Sequence, residues 1–293
     1  MNVLVAGGTG FVGRRLAEAL VARGDVVTVV SRDPAGARKD GVPGVDYRGW
    51  LPELDAYDAI VNLSGANIFG KRWNAAYKFE LRDSRLRATN RLVEAIADAK
   101  DPPGVLVNAS AIGYYGHRKN ENLTEEAGPG SDFLAGLCED WEAAAARCPT
   151  RAVMLRIGVV LGGNGGALAQ MLPPFKLGLG GPIGFGGQQM SWIHIDDLVG
   201  MIQWAIDDER VSGPVNATSP GVVTNKAFSK ALGRVLRRPA VFIVPGLALR
   251  LKFGEVADVL TASTKCEAGV AQRFGYEFRF PEIEAALRDA LAA

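Results

Sequence analysis

Three stretches of this 293-residue sequence combine residue types and spacings that could do chemistry. The first is Gly7-Gly8-Thr9-Gly10-Phe11-Val12-Gly13, which follows the apolar run Val3-Leu4-Val5-Ala6 without a break. Glycines there permit a tight turn and let the backbone approach a pyrophosphate. The free N–H groups and positive dipole end of the next helix would then hold that charge. The second is Ser31-Arg32, standing where a dinucleotide-binding fold that selects NAD places a carboxylate for the ribose 2′-hydroxyl. A guanidinium there pairs with a 2′-phosphate that a carboxylate would repel, so the pair predicts NADP. Asp33, the next residue, is read as forming a turn with Pro34. The third is Ser110 followed by Tyr114 and Tyr115, a hydroxyl to polarise a substrate oxygen and a phenol to exchange a proton.

These residues need elements to hold them, and the apolar periodicity supplies them. Phe11, Val12, Leu16, Ala19 and Leu20 recur at helical spacing, which predicts a helix from about Phe11 to Arg23 between two strands, the second running from Val26 to Val30. Asp58 to Leu63 reads as a central parallel strand ending in Ser64-Gly65-Ala66-Asn67, so Leu63, Ser64 and Gly65 border the edge where such sheets bind ligands. A long helix follows from Trp73 to Lys100. Its polar residues, Glu80 and Arg85 among them, read from spacing alone as a solvated face with helical ion pairs. Val105 to Ser110 is the next central strand, Asp132 to Arg147 a helix, and Ala152 to Ile157 a further strand. Glycines and prolines crowd the region 162–190, which is expected to be a mobile loop able to close over a ligand. His194 is read as a structural, hydrogen-bonded histidine. The organisation expected is an α/β fold with a doubly wound parallel sheet over 1–236 and a small substrate-side domain over 237–293, anchored as a satellite cluster by Phe274, Phe278 and Phe280.

Composition narrows the function. Lys and Arg total 33 against 32 Asp and Glu, a net charge of +1, so no overall field attracts nucleic acid or an anionic membrane. Cys138, Cys148 and Cys266 are scattered and odd in number, and His117 and His194 are the two histidines, so neither a disulfide framework nor a metal site is expected. No secretory leader pattern and no membrane-length apolar run is visible, which predicts a cytoplasmic protein acting on a small-molecule substrate. Its oligomeric state is not legible.

The sequence resembles the extended and atypical short-chain dehydrogenase/reductases, in the epimerase-like subgroup sometimes labelled a cell-division inhibitor, which ends in a small domain of unknown function. The segments that carry the resemblance include Gly7 to Gly13, Ser31-Arg32, Asn62 to Ile68, Ser110 to Gly116, Arg156 to Gly162, Gly178 to Pro182 and Trp192 to Asp197, spread over nearly the whole chain. The resemblance implies a Rossmann-type domain that binds NADP(H) through Ser31, Arg32, Leu63, Ser64, Glu80, Arg85 and Val160. It raises Glu80 and Arg85 above a merely solvated face. It also implies an oxidoreductase or epimerase-like activity. One departure stands out: where the superfamily has a tyrosine and, four residues on, a lysine that lowers its pKa, this chain has Phe133 and Leu137. Tyr115 and Lys119 share the spacing but lie in a loop, where it fixes no common face.

The expected function is therefore an NADP-dependent oxidoreductase or epimerase-like enzyme with a displaced catalytic set: Tyr114 or Tyr115 as proton donor and Ser110 polarising the substrate oxygen. The rival is a non-catalytic NADP(H)-sensing or partner-binding protein.

Overall fold

A computed structural model describes residues 1–50, 53–163 and 165–292. The first strand, β1 (Asn2–Ala6), is buried on both faces from Val3 onward, which is why it reads as an unbroken apolar run. It leads through the glycine turn into α1 (Phe11–Arg23) and then β2 (Val26–Val30), α2 (Pro34–Lys39), β3 (Val45–Arg48) and β4 (Ala59–Asn62). Next come α3 (Ala75–Asp98), β5 (Val105–Ala111) and α4 (Phe133–Ala145). The strands Arg151–Ile157 and Gly213–Ala217 complete the sheet. Its order is Gly213–Ala217, Arg151–Ile157, β5, β4, β1, β2, β3, with every neighbouring pair parallel. Strand order reverses at β1, between β2 and β4, and the carboxyl edge there is the place where a doubly wound sheet takes a ligand.

The two faces of β1 show how the layers form. Val3 and Val5 pack with Leu16 and Leu20 of α1 and with Leu198 and Ile202 of the helix Ile195–Asp207. Leu4 and Ala6 point the other way, toward Leu92, Val93 and Ile96 of α3. Truncating one such side chain, Leu4→Ala for instance, costs about 2–5 kcal/mol because a close-packed site cannot collapse fully.

Within the segment 162–190, Gly166–Lys176 forms a helix and Gln189–Met190 a short strand. Leu168, Leu172 and Phe175, spaced at i, i+4 and i+7, bury one face of the helix Gly166–Lys176 against Phe228 and Leu232. Glycine density masks that periodicity in the sequence. Residue 164 and residues 51–52, in the connection after β3, lie outside the described residues.

In the tail, Phe274 and Phe278 pack against the main core, and Phe280 joins a second cluster with Trp192. Buried Asp197 pins this stretch by accepting from Arg279 N at 2.7 Å and Phe280 N at 3.0 Å. Earlier in the tail, Glu255 takes Lys78 Nζ at 2.6 Å, close to the start of α3. The tail thus divides: one part lies beside α3, Tyr276 to Phe280 lies on the helix Ile195–Asp207, and Ile283–Ala292 packs with Leu168, Leu172 and Phe228. Among the described residues, no helix is long and apolar enough to cross a membrane.

Candidate nucleotide-binding and catalytic site

The glycine turn is shaped by what surrounds it. Gly7 adopts φ +82°, and a Cβ there would stand 2.7 Å from the carbonyl carbon and oxygen of Leu63 and 2.9 Å from Ser64 N. The loops after β1 and β4, both expected to hold the cofactor, are therefore in backbone contact. A Cβ on Gly13 would lie 2.3 Å from Gly7 O, so the close approach of turn and helix also requires glycine. Gly10 caps α1 without a side-chain hydrogen bond, and no acidic residue stands in its first turn. Among the described residues its opening N–H groups have no hydrogen-bond partner, the condition for receiving a phosphate.

The Phe11 ring fits a cradle of glycines: Cβ atoms on Gly162 and Gly165 would come within 2.6 and 2.4 Å of it. Val160 sits beside this cradle in the strand Val159–Leu161, paired with Ile193. At the end of β2, Ser31 Oγ accepts from Asp33 N at 3.2 Å, and Asp33 caps α2 by accepting from Gly36 N at 3.0 Å. The carboxylate is thus committed to a helix cap. Arg32 is exposed, and among the described residues it has no hydrogen-bond or ion-pair partner. Arg85 lies directly behind Gly65, where a Cβ would be 2.9 Å from its guanidinium carbon. It donates to Leu81 O at 2.9 Å and stacks 5.1 Å over Trp141. Burial lowers its pKa, and no carboxylate offsets that. Glu80 is not brought to the same place; it is exposed and pairs with Lys71 at 3.1 Å. A five-residue separation puts it on another face of α3.

The expected catalytic residues are arranged differently. Ser110, only 3% exposed, donates its hydroxyl to Glu142 Oε1 at 2.6 Å. Glu142 also holds Arg156 through both oxygens, at 2.9 Å from Nε and 2.8 Å from Nη2. Arg156 Nη1 in turn donates to Tyr115 Oη at 2.9 Å, and Tyr115 Oη donates to Asn216 Oδ1 at 2.7 Å. Burial opposes the charge on Arg156, but the Glu142 bonds outweigh it and hold the guanidinium's pKa above its usual value.

Two expectations need correction. Ser110 has spent its only proton on Glu142, so it has none to give a substrate oxygen. Tyr115 is 0% exposed, its hydroxyl is tied on both sides, and burial raises its pKa, so it is a member of the buried network and not a proton donor. Tyr114 differs. It is half-buried, its ring lies 3.6 Å from Arg156 Cζ, and among the described residues its hydroxyl has no partner.

Neither superfamily position can exchange a proton. Phe133 opens α4 and meets Trp73 edge-on at 5.3 Å, while Leu137 is sealed in the core beside Tyr77 and Leu81. Lys78 Nζ sits 5.1 Å from the Phe133 ring centre. Lys119 is exposed in the loop with φ +50°, sharing no face with Tyr115. Glu142, Arg156, Asn216 and Lys78 were not singled out from the sequence. An arginine within the otherwise apolar strand Arg151–Ile157 was the available signal, since a buried cation requires a carboxylate.

A groove of about 740 Å³ lies on the outer side of α1, between Thr9, Gly10 and Phe11 on one wall and Asp289 and Ala290 on the other. It contains His194, Asp196 and Asp289, close enough together to suggest a cation site. However, His194 Nδ1 accepts from Asp196 N at 3.2 Å, so the ring proton is on Nε2. That nitrogen presents a hydrogen, not a lone pair. The histidine caps the helix Ile195–Asp207.

Fold and turn together define a dinucleotide-binding protein of the Rossmann class. The model of the NAD dependent epimerase/dehydratase family matches residues 3–217, and a domain of unknown function, DUF1731, matches 244–290. The chain belongs to that epimerase/dehydratase family. It is 41% identical over the full length of both chains to the mouse epimerase family protein SDR39U1, and 38% identical to the Arabidopsis thaliana chloroplastic homolog, covering 98% of this chain and 86% of that one. The crystal structure of human SDR39U1 isoform 2 with NADPH superposes with a TM-score of 0.91 at 39% identity, covering 100% of this chain and 99% of that chain. A Corynebacterium glutamicum nucleoside-diphosphate sugar epimerase gives 0.77 at 33% identity, covering 99% of this chain and 58% of its own.

Proposed function

We propose that the protein binds NADP(H) and acts as an oxidoreductase or epimerase-like enzyme on a small carbonyl or hydroxyl compound. The observation that carries the cofactor choice is the pairing of a free Arg32 with an Asp33 whose carboxylate is committed to capping α2. The human relative crystallised with NADPH supports the same reading. In this reading the N–H groups opening α1 receive the pyrophosphate, Arg32 and Ser31 receive the 2′-phosphate, and Leu63, Ser64, Gly65 and Val160 border the rest. Arg85 backs the Gly65 backbone. When bound, the nicotinamide supplies or takes the hydride.

Of the protein's own groups, Tyr114 is the proton donor in this reading. Arg156 fixes its ring from one side, and its hydroxyl has no competing partner. The buried Ser110–Glu142–Arg156–Tyr115 chain acts as a positioning frame beneath it. Lys78, beside Phe133, is held by Glu255 and is given no catalytic role in this reading. Calorimetric titration with NADPH and NADH, followed by turnover on a panel of aldehydes and ketones, tests both halves of the reading. Equal affinity for the two cofactors removes the NADP choice.

A non-catalytic NADP(H) sensor is favoured by one specific observation: the lysine position is filled by Leu137, 2% exposed in the core. NADPH affinity without turnover on any panel member supports that alternative.

A further inference from the structure

Large exposed apolar side chains are unevenly distributed. Among the described residues, those outside two short segments are Met1, Val26 and Phe79. The two segments contain Phe185 at 97% exposure, Leu177 at 75%, Val241 at 73%, Ile243 at 61%, and Leu247 and Leu251 at 71% each. They are adjacent in space as well. Phe242 N donates to Gly180 O at 3.3 Å, Val244 N to Pro182 O at 2.9 Å, and Ile183 bridges Val244 in parallel. The helix Gly246–Phe253, which continues the second segment, has no buried residue. A patch this size on one face marks a docking surface, because scattered exposure would need no explanation but clustering does.

Charge identifies the partner. Residues 163–195 and 211–254 contain no Asp or Glu, yet they carry Lys176, Arg237, Arg238 and Lys252 around the apolar side chains. Among the described residues none of these four has an ion-pair partner. The whole-chain charge of +1 conceals this segregation, and the nearby acids are already taken, Glu255 by Lys78, Asp258 by Arg250 and Glu284 by Arg234. A second copy docked symmetrically would set these cations against their own counterparts. A fluid layer of anionic headgroups suits unpaired, freely rotating cations beside protruding Leu, Val, Ile and Phe.

We propose that this face docks on an anionic lipid surface. Phe185, Val241, Ile243, Leu247 and Leu251 enter the boundary between headgroups and acyl chains, while Lys176, Arg237, Arg238 and Lys252 meet phosphates. The helix of eight residues lies along the surface and is far too short to span it.

Flotation of the full chain with phosphatidylcholine vesicles, and with vesicles mixed equally with phosphatidylglycerol, tests this. The chain is expected to float with the mixed vesicles, to stay down with phosphatidylcholine alone, and to be released by raised salt. The Phe185→Ser/Leu247→Ser/Leu251→Ser variant and the Arg237→Glu/Arg238→Glu variant are each expected to lose at least about tenfold in partition. Both variants are checked for unchanged NADPH affinity and far-ultraviolet circular dichroism, so that misfolding is not mistaken for lost docking. Failure of the native chain to float with mixed vesicles overturns the proposal, as does partition unaltered in both variants. A dimer seen by sedimentation equilibrium and dissolved by the triple serine variant, without flotation, assigns the face to a second copy instead. An acidic protein ligand bound without flotation overturns it equally.

Discussion

The carboxyl ends of β1, β2 and β4, and those of β5 and the strand Arg151–Ile157, lie on one edge of one sheet, yet they are finished in opposite ways. On the first side the edge is made of backbone: glycines at 7 and 13 admit no Cβ, and among the described residues neither the opening N–H groups of α1 nor Arg32 has a partner. On the second side the edge is made of side chains already bonded to one another, from Ser110 through Glu142 and Arg156 to Tyr115 and Asn216. The first side is ready for a ligand, whereas the second has satisfied itself. A site can therefore keep its cofactor half while its reacting half is rebuilt, since the two depend on different chemistry: backbone geometry for one, side-chain identity for the other.

The largest effect expected concerns the closed half. Glu142→Ala leaves Arg156 charged and unpaired in the interior, and should cost about 3–5 kcal/mol in urea unfolding. A loss below about 1 kcal/mol would show the network to be more open than its geometry implies. Next, if the open and closed halves cooperate in turnover, Tyr114→Phe should lower the rate on any substrate found by about 10² or more and leave NADPH affinity intact. Tyr115→Phe should instead register mainly as lost stability, because its hydroxyl is a structural link. The reverse ranking would exchange the roles assigned to the two tyrosines.

For the open half, Arg32→Ala should weaken NADPH by about 1.5–3 kcal/mol in calorimetry and NADH hardly at all. Equal losses would mean that the guanidinium does not read the 2′-phosphate. The smallest signal is chemical. Burial pushes the Cys138 and Cys266 thiols up to about 12, so iodoacetamide at neutral pH should label half-buried Cys148 and spare both. Labelling of Cys138, which lies on α4 one turn before Glu142, would mean that the closed half breathes.

Much of this contrast follows from what a sequence can carry. The open half is local: an apolar strand, glycines and a periodic helix within some two dozen residues, so the turn, β2 and Ser31-Arg32 were readable in order. The closed half is assembled from residues that share no local pattern, and nothing in the sequence pairs Glu142, inside a helix, with Arg156, inside an apolar strand. Ser110 was placed at a strand end and Tyr115 in the connection beyond it, but their partners, not their positions, decide what their hydroxyls can do. The helix Gly166–Lys176 was missed for a different reason: glycines around it, and Pro173 and Pro174 within it, outweighed three apolar residues at helical spacing.

The groove beside α1 has one wall from residues 9–11 and the other from residues 289–290, and a Cβ on Gly163 would strike Ala290 O. The ribosome must therefore pass residue 290 before the surroundings of the first turn are complete. β1 itself, the middle of the finished sheet, lacks β4 until residues 59–62 are made and lacks one of its covering helices until residues 195–207 are made. Pairings this distant in sequence make for slow folding and prolonged exposure of apolar strands, so the growing chain should rely on chaperones to a degree that a local fold of equal size would not.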